Sequence, residues 1–367
     1  MKLSNKYLPL VLCLLFSTHA TAGLFDKMTG GEKPQRVELT ESSDKAAVFK
    51  QAFSDDGAFA PVAKPAEFAV RKVAISSFQV EFVTQQIGSG AGSGGGSGGG
   101  SVEKTFTLKG ATDEQMVAIT EKLHQQFKDL LKQRGYEVLP ADALINSSFK
   151  NELTNADGTP IRADEKDSVL GPARSMGLIG RSTGDSQGAS VTVTAQGTAP
   201  KVFALKYGIP SSMKLANELG IAVIQARMQV NFMQIDSSNT ALLSVAETEG
   251  KPRNMLAATG SQISVFWPDS KAAYFAVKKS VSLPGSAASE VTKLEMTGGD
   301  KTAVAGKVAL NVIGGLLGFS NGGGLGATAA SVAGSGKFEV TANADYEQKL
   351  SQDLGLALGL YAEALPK

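Results

Sequence analysis

The stretch Asp113-Glu-Gln-Met-Val-Ala-Ile-Thr-Glu-Lys-Leu-His-Gln-Gln-Phe-Lys-Asp-Leu-Leu-Lys-Gln-Arg134, followed at once by Gly135-Tyr-Glu-Val-Leu139 and Pro140, decides the fold class. Met116, Ile119, Leu123, Phe127, Leu130 and Leu131 recur at spacings of three and four, which gathers them on one face of an α-helix. Thr112 and Gln115 occupy the two positions of a capping box, and Gly135 sits where a helix ends in a left-handed residue. Tyr136–Leu139 then reads as a strand stopped by Pro140. His124, at the edge of the apolar stripe among glutamines and lysines, reads as a solvated helix residue.

Working outward, Arg71–Phe82 is β-branched and aromatic, with the continuous apolar start of a buried strand. A second helix–strand unit begins at Ser211: a short helix over Met213–Leu219 ended by Gly220, then a long strand over Ile221–Ile235. Ala226, Met228, Val230 and Phe232 alternate there with Gln225, Arg227, Gln229 and Asn231. A turn at Asp236–Asn239 and a return strand over Ala241–Glu249 complete a hairpin. Gln262–Trp267 and Ala272–Leu283 read as further strands, and Asp345–Leu365 as an amphipathic helix. Ala189–Ala195 alternates as well and reads as one arm of an edge hairpin, with Val202–Tyr207 as its partner. The fold class is therefore α/β, a mixed sheet flanked by helices and carrying long glycine-rich insertions.

The chain has 367 residues and a net charge of +1. So even a balance excludes a nucleic-acid binder held by phosphate contacts. Residues 1–22 read as a secretory signal: Lys2 and Lys6, the apolar run Leu8–Phe16, and the small-x-small site Ala20-Thr21-Ala22. The one cysteine, Cys13, lies inside that run between two leucines, where no lipobox precedes it. Its loss leaves no thiol for a disulfide or a zinc site. Residues 23–66 read as a flexible leader with one short helix near Lys45–Phe53. Residues 67–367 read as a single α/β domain with insertions at 84–101, 150–208 and 298–336.

The 88–101 tract contains nine glycines and four serines, too little side chain to pack. Gly90-Ala-Gly-Ser-Gly-Gly95 matches the dinucleotide fingerprint only in form, because Val102–Leu108 reads as a strand where that fold needs a helix. The 298–336 tract centres on Val304–Phe319. Val312, Ile313, Leu316, Leu317 and Phe319 make this the candidate interaction segment, although it is short and glycine-rich for a membrane span.

No catalytic constellation emerges. His124 is the only histidine outside the signal, and no nucleophile motif accompanies it. Gly306-Lys307 and Gly336-Lys337 lack the Ser or Thr and the earlier glycine of a P-loop. Asp164-Glu-Lys-Asp167, the densest acidic group, does not follow a calcium-loop spacing. A pair of carboxylates for glycoside hydrolysis remains open on sequence alone. No cofactor and no metal is expected.

Three stretches carry a resemblance: Lys72-Val-Ala-Ile75; Phe127-Lys-Asp-Leu-Leu-Lys-Gln-Arg-Gly-Tyr-Glu-Val138; and Leu215-Ala-Asn-Glu-Leu-Gly220 leading to Val230-Asn-Phe-Met-Gln-Ile-Asp236 and Ala241-Leu-Leu-Ser-Val245. Their order resembles the α/β domain shared by the CsgG curli-secretion channel subunits, the penicillin-binding-protein activator lipoproteins and the TolB amino-terminal domains. That resemblance covers about half of the chain after the signal. It implies a non-catalytic protein of the periplasm or outer membrane that works in assembly or secretion, by binding envelope proteins or by forming homo-oligomers, with outer-membrane contact left open. The alternation suggests no pair of long hairpins, so a channel is not implied. Two other readings stand beside this one: a secreted carboxylate-dependent hydrolase, and a membrane-active protein working through residues 304–319.

Overall fold

The computed structural model describes residues 36–55, 70–91, 101–153, 169–170, 186–198, 209–240, 245–258, 260–269, 271–294 and 336–366. Its centre is β3 (Lys72–Ala91), which carries partners along both edges. One edge pairs with β5 (Glu137–Leu139) in parallel and then with β7 (Ser186–Thr194) antiparallel. The other edge pairs first with β8 (Ala222–Thr240), in parallel from Val73 to Phe82, and then with β4 (Ser101–Lys109), antiparallel from Gln85 to Ala91. The outer edge of β8 divides in the same way. β10 (Gln262–Trp267) takes Val223–Arg227, and β9 (Val245–Leu256) takes Val230–Thr240. β11 (Lys271–Val277) and β2 (Phe53–Asp55) extend the β10 branch; β12 (Val281–Ser282) and β1 (Val37–Glu38) extend the β9 branch. Beyond β4 lie β14 (Gly336–Ala342), parallel to it, and β13 (Ala288–Leu294). The two-residue β6 (Val169–Leu170) lies beyond β7. The mixed sheet and its flanking helices are the α/β fold expected from sequence.

Helix α2 (Asp113–Gln133) forms for the reasons written in its ends. Gln115 N donates to Thr112 Oγ1 at 3.3 Å, and Thr112 N donates to Gln115 Oε1 at 3.0 Å. At the other end Gly135 adopts φ 82°, and Tyr136 N donates to Leu131 O at 3.0 Å. The chain thus turns directly from α2 into β5. Helix α5 (Tyr346–Glu363) lies beside α2 and is stoppered by it: the Arg134 guanidinium pairs with Glu363 and donates to Ala362 O at 2.6 Å. Both helices cover one face of the sheet. Phe127 and His124 approach Phe78 at 5.8 and 5.4 Å between ring centroids, and Tyr361 sits edge-on to Phe53 at 5.7 Å. Helix α4 (Ile209–Leu219) and the 3₁₀ turn Ala141–Ile145, followed by the single turn α3 (Lys150–Leu153), cover the other face. There Leu215, Ala216 and Leu144 pack on Ala74, Val223 and Phe266.

Several expectations need correction. Part of the leader belongs to the fold: β1, helix α1 (Lys45–Ala52) and β2 lie within residues 23–66, and Leu39, Ala52 and Phe53 are buried in the core. The expected insertion at 84–101 begins inside β3, which runs on to Ala91 because Gln85–Ala91 pairs with β4. The 150–208 region supplies β7, which is an inner strand between β3 and β6, not an edge hairpin; the expected partner over Val202–Tyr207 lies outside the described residues. Two long hairpins are present, β3–β4 and β8–β9. Asp236–Asn239, read as a turn, is strand paired to Ala246–Glu249. β13 and β14 are strands beyond those the sequence pattern predicts. His124 is buried, 6% exposed, because α2 rotates it onto Phe78.

Candidate functional site

The segment Val312, Ile313, Leu316, Leu317, Phe319 lies outside the described residues, as does the acidic group 164–167. The structure places Leu294 and Gly336, the described residues on either side of that segment in sequence. β3, β8 and β13 all run one way, while β4, β9 and β14 run the other. The ends Ala91 and Ser101, Thr240 and Val245, and Leu294 and Gly336 therefore share one end of the sheet, opposite to the end where β3 and β8 start. The nine residues of β3 beyond Phe82 and the ten of β8 beyond Val230 carry these ends away from the helix-covered part. At about 3.3 Å per residue each arm reaches roughly 30 Å.

Among the described residues the arms alternate: Phe106 and Leu108 on β4, Met233 and Ile235 on β8 and Val340 on β14 are buried, and the positions between them are mostly polar. On β4, Lys104, Thr105, Thr107 and Lys109 are at least partly exposed, and Phe106 is buried against Phe338 at 5.1 Å. On β14 and β13, Lys337, Glu339, Thr292 and Lys293 are likewise accessible. Val291 is the exposed large apolar residue among the described ones. No helix among the described residues is long and apolar enough to cross a membrane.

Nearer the core, the face covered by α4 changes character along the strands. Under α4 it is apolar, at Ala74, Val223 and Phe266. Farther along β8 the same face carries Gln225, Arg227 and Gln229, beside Ser77, Gln79 and Glu81 on β3 and Thr192 and Thr194 on β7. Glu81 is the centre of this polar layer. Its Oε2 accepts from Arg227 at 2.6 Å and its Oε1 from Ser190 Oγ at 2.6 Å. The carboxylate is 2% exposed and the guanidinium 27%. Thr192 Oγ1 and Arg227 Nε have no hydrogen-bond partner.

Both Glu81 oxygens are engaged, so the carboxylate is tied as a structural counter-ion. Among the described residues no three His, Cys, Asp or Glu side chains gather to hold a metal ion. His124 meets an aromatic ring and no nucleophile. Burial, with Lys128 adding to it, lowers its pKa to about 4, so the ring is neutral near pH 7. The polar layer was partly legible: Gln225, Arg227 and Gln229 alternate in the sequence. Nothing local in the sequence shows that Glu81 lies across the strand from them. No family model matches the chain, and neither a characterised protein nor a solved structure shows significant similarity to it.

Proposed function

We propose that this is a non-catalytic protein of the bacterial envelope, exported by its amino-terminal signal, that acts by binding protein partners or further copies of itself at the arm end of the sheet. The observation that carries the reading is that three antiparallel strand pairs, β3–β4, β8–β9 and β13–β14, bring their far ends to one end of the sheet. A recognition surface built from paired strands offers side chains at fixed spacing. The reading accords with the resemblance to CsgG-type domains, which implies assembly or secretion by binding.

A photo-crosslinking residue placed at Thr105 or Lys251, on the arms, is compared in cells with one at Lys122 on α2. Crosslinks to an envelope protein or to a second copy from the arm positions, absent from Lys122, are the expected result. Recovery of the protein in the cytoplasmic fraction, or equal labelling from all three positions, would overturn the proposal.

A further inference from the structure

Every irregularity in the pairing of the two arms falls at one level. β3 exchanges its partner there, its last pair with β8 being Phe82–Val230 and its first with β4 being Gln85–Thr107. The β3–β7 register shifts between Val83 and Gln85 and again between Gln85 and Gln86. The β8–β9 register shifts between Asn231 and Met233, and Met233 faces Pro252, which has no N–H to give. Below this level β3 and β8 are joined backbone to backbone. Above it they separate, and one side chain takes the place of the ladder. Gln86, 1% exposed, accepts from Phe232 N at 3.1 Å and Met233 N at 2.9 Å, and donates to Met233 O at 3.2 Å. Asn231 Oδ1, buried beside it on β8, has no partner.

We infer that this level is a hinge between the arms and the core, with Gln86 as the pin that sets the resting splay. Bulges concentrate bending and twist where a ladder is broken, and hinge motions are absorbed by a few such residues. A glutamine amide bridges three backbone groups through rotatable bonds, so it can follow a small change of angle that a backbone ladder would resist. The arms also touch just above the pin. A Cβ on Gly250 would come within 2.5 Å of Phe106 Cζ and 2.8 Å of Met233 Cε, so a larger residue there would have to displace the Phe106 ring and the Met233 methyl where β9 lies against β4. Arg36 steadies the same arm from outside, donating to Ile235 O at 2.5 Å.

A hinge at this level is measurable in the protein alone, without a partner. In the wild-type protein, amide exchange at Phe232 and Met233 is expected to be at least tenfold faster than the average over Val223–Arg227; equal rates would overturn the hinge. Spin labels at Lys251→Cys and Lys337→Cys report the two arms, and labels at Lys122→Cys and Lys214→Cys report the core, all with Cys13→Ser. Gln86→Ala should broaden the arm-to-arm distance distribution and leave the core pair unchanged. No broadening, or equal broadening of both pairs, contradicts the assignment.

Discussion

His124 and Phe78 meet because α2 lies flat on β3, and that contact gives the protein a titration that can be measured. The imidazole's pKa is lowered from 6.5 to about 4, first by burial and then by Lys128. Between those values the unfolded chain binds a proton that the folded chain does not, so stability falls as pH drops from 6.5 toward 4. The full loss is about 3 kcal/mol at one pKa unit per 1.36 kcal/mol. Burial raises Glu121 and Asp353, which has the opposite sign: folding favours their protonated forms, and acid relieves that cost. The informative quantity is therefore a difference. Urea midpoints of His124→Gln should fall less than those of wild type between pH 6.5 and 4, and parallel curves would reject the buried, neutral histidine. The Glu81–Arg227 pair makes a second prediction at this scale. Arg227→Met leaves a carboxylate that is 2% exposed without its cation, which should cost about 3–5 kcal/mol by denaturant unfolding. Replacing both partners, with Glu81→Leu added, should recover part of that loss; an Arg227→Met midpoint equal to wild type would show that the pair does not hold the layer together.

At the scale of elements, α2 shows how far local sequence reaches. Its stripe, its capping box and its terminal glycine are all contacts within four residues, and each is present in the structure. Thr112→Ala should cost about 1 kcal/mol by removing one half of the box, read as a lower melting temperature with an unchanged unfolded baseline. The same reasoning placed α4, β10 and the starts of β3 and β8. It stopped where structure comes from distant partners. Gly88 and Gly90 read as linker because glycine has low strand propensity, yet Lys104 and Val102 pair with them. β14 is held by β4, more than two hundred residues away in sequence, and its own Gly336-Lys-Phe-Glu-Val-Thr-Ala342 gives a weak pattern. The burial of His124 has a related cause. The helical stripe shows where apolar residues lie, but the width of the buried face depends on the sheet beneath it, and here it reaches Thr120 and His124 as well.

For the molecule as a whole, the amino-terminal segment is a structural part of the domain, although its composition reads as a tether. Val37 and Glu38 pair with β12 and Phe53–Asp55 with β11, so residues 36–55 join the outer strands of both branches of the sheet. Helix α1 packs on α5, and Gly359 leaves the space in which the Lys45 stem lies, since a Cβ there would come within 2.6 Å of Lys45 Cδ. Val37, Leu39, Val48 and Phe53 are each less than a tenth exposed. Four such side chains contribute on the order of 6–12 kcal/mol when buried. That is comparable with the net stability of an ordinary domain, about 5–15 kcal/mol. A chain beginning at Gly23 should therefore melt cooperatively, and one beginning at Asp56 should lose its cooperative transition and bind a hydrophobic dye. Supplying residues 23–55 as a separate peptide should restore part of the transition, because the segment pairs along existing strand edges and needs no rearrangement of β11 or β12. Equal melting of the two chains would mean that the segment contributes little to stability despite its burial. The sheet from β3 to β14 would then stand alone as the unit that carries the arms.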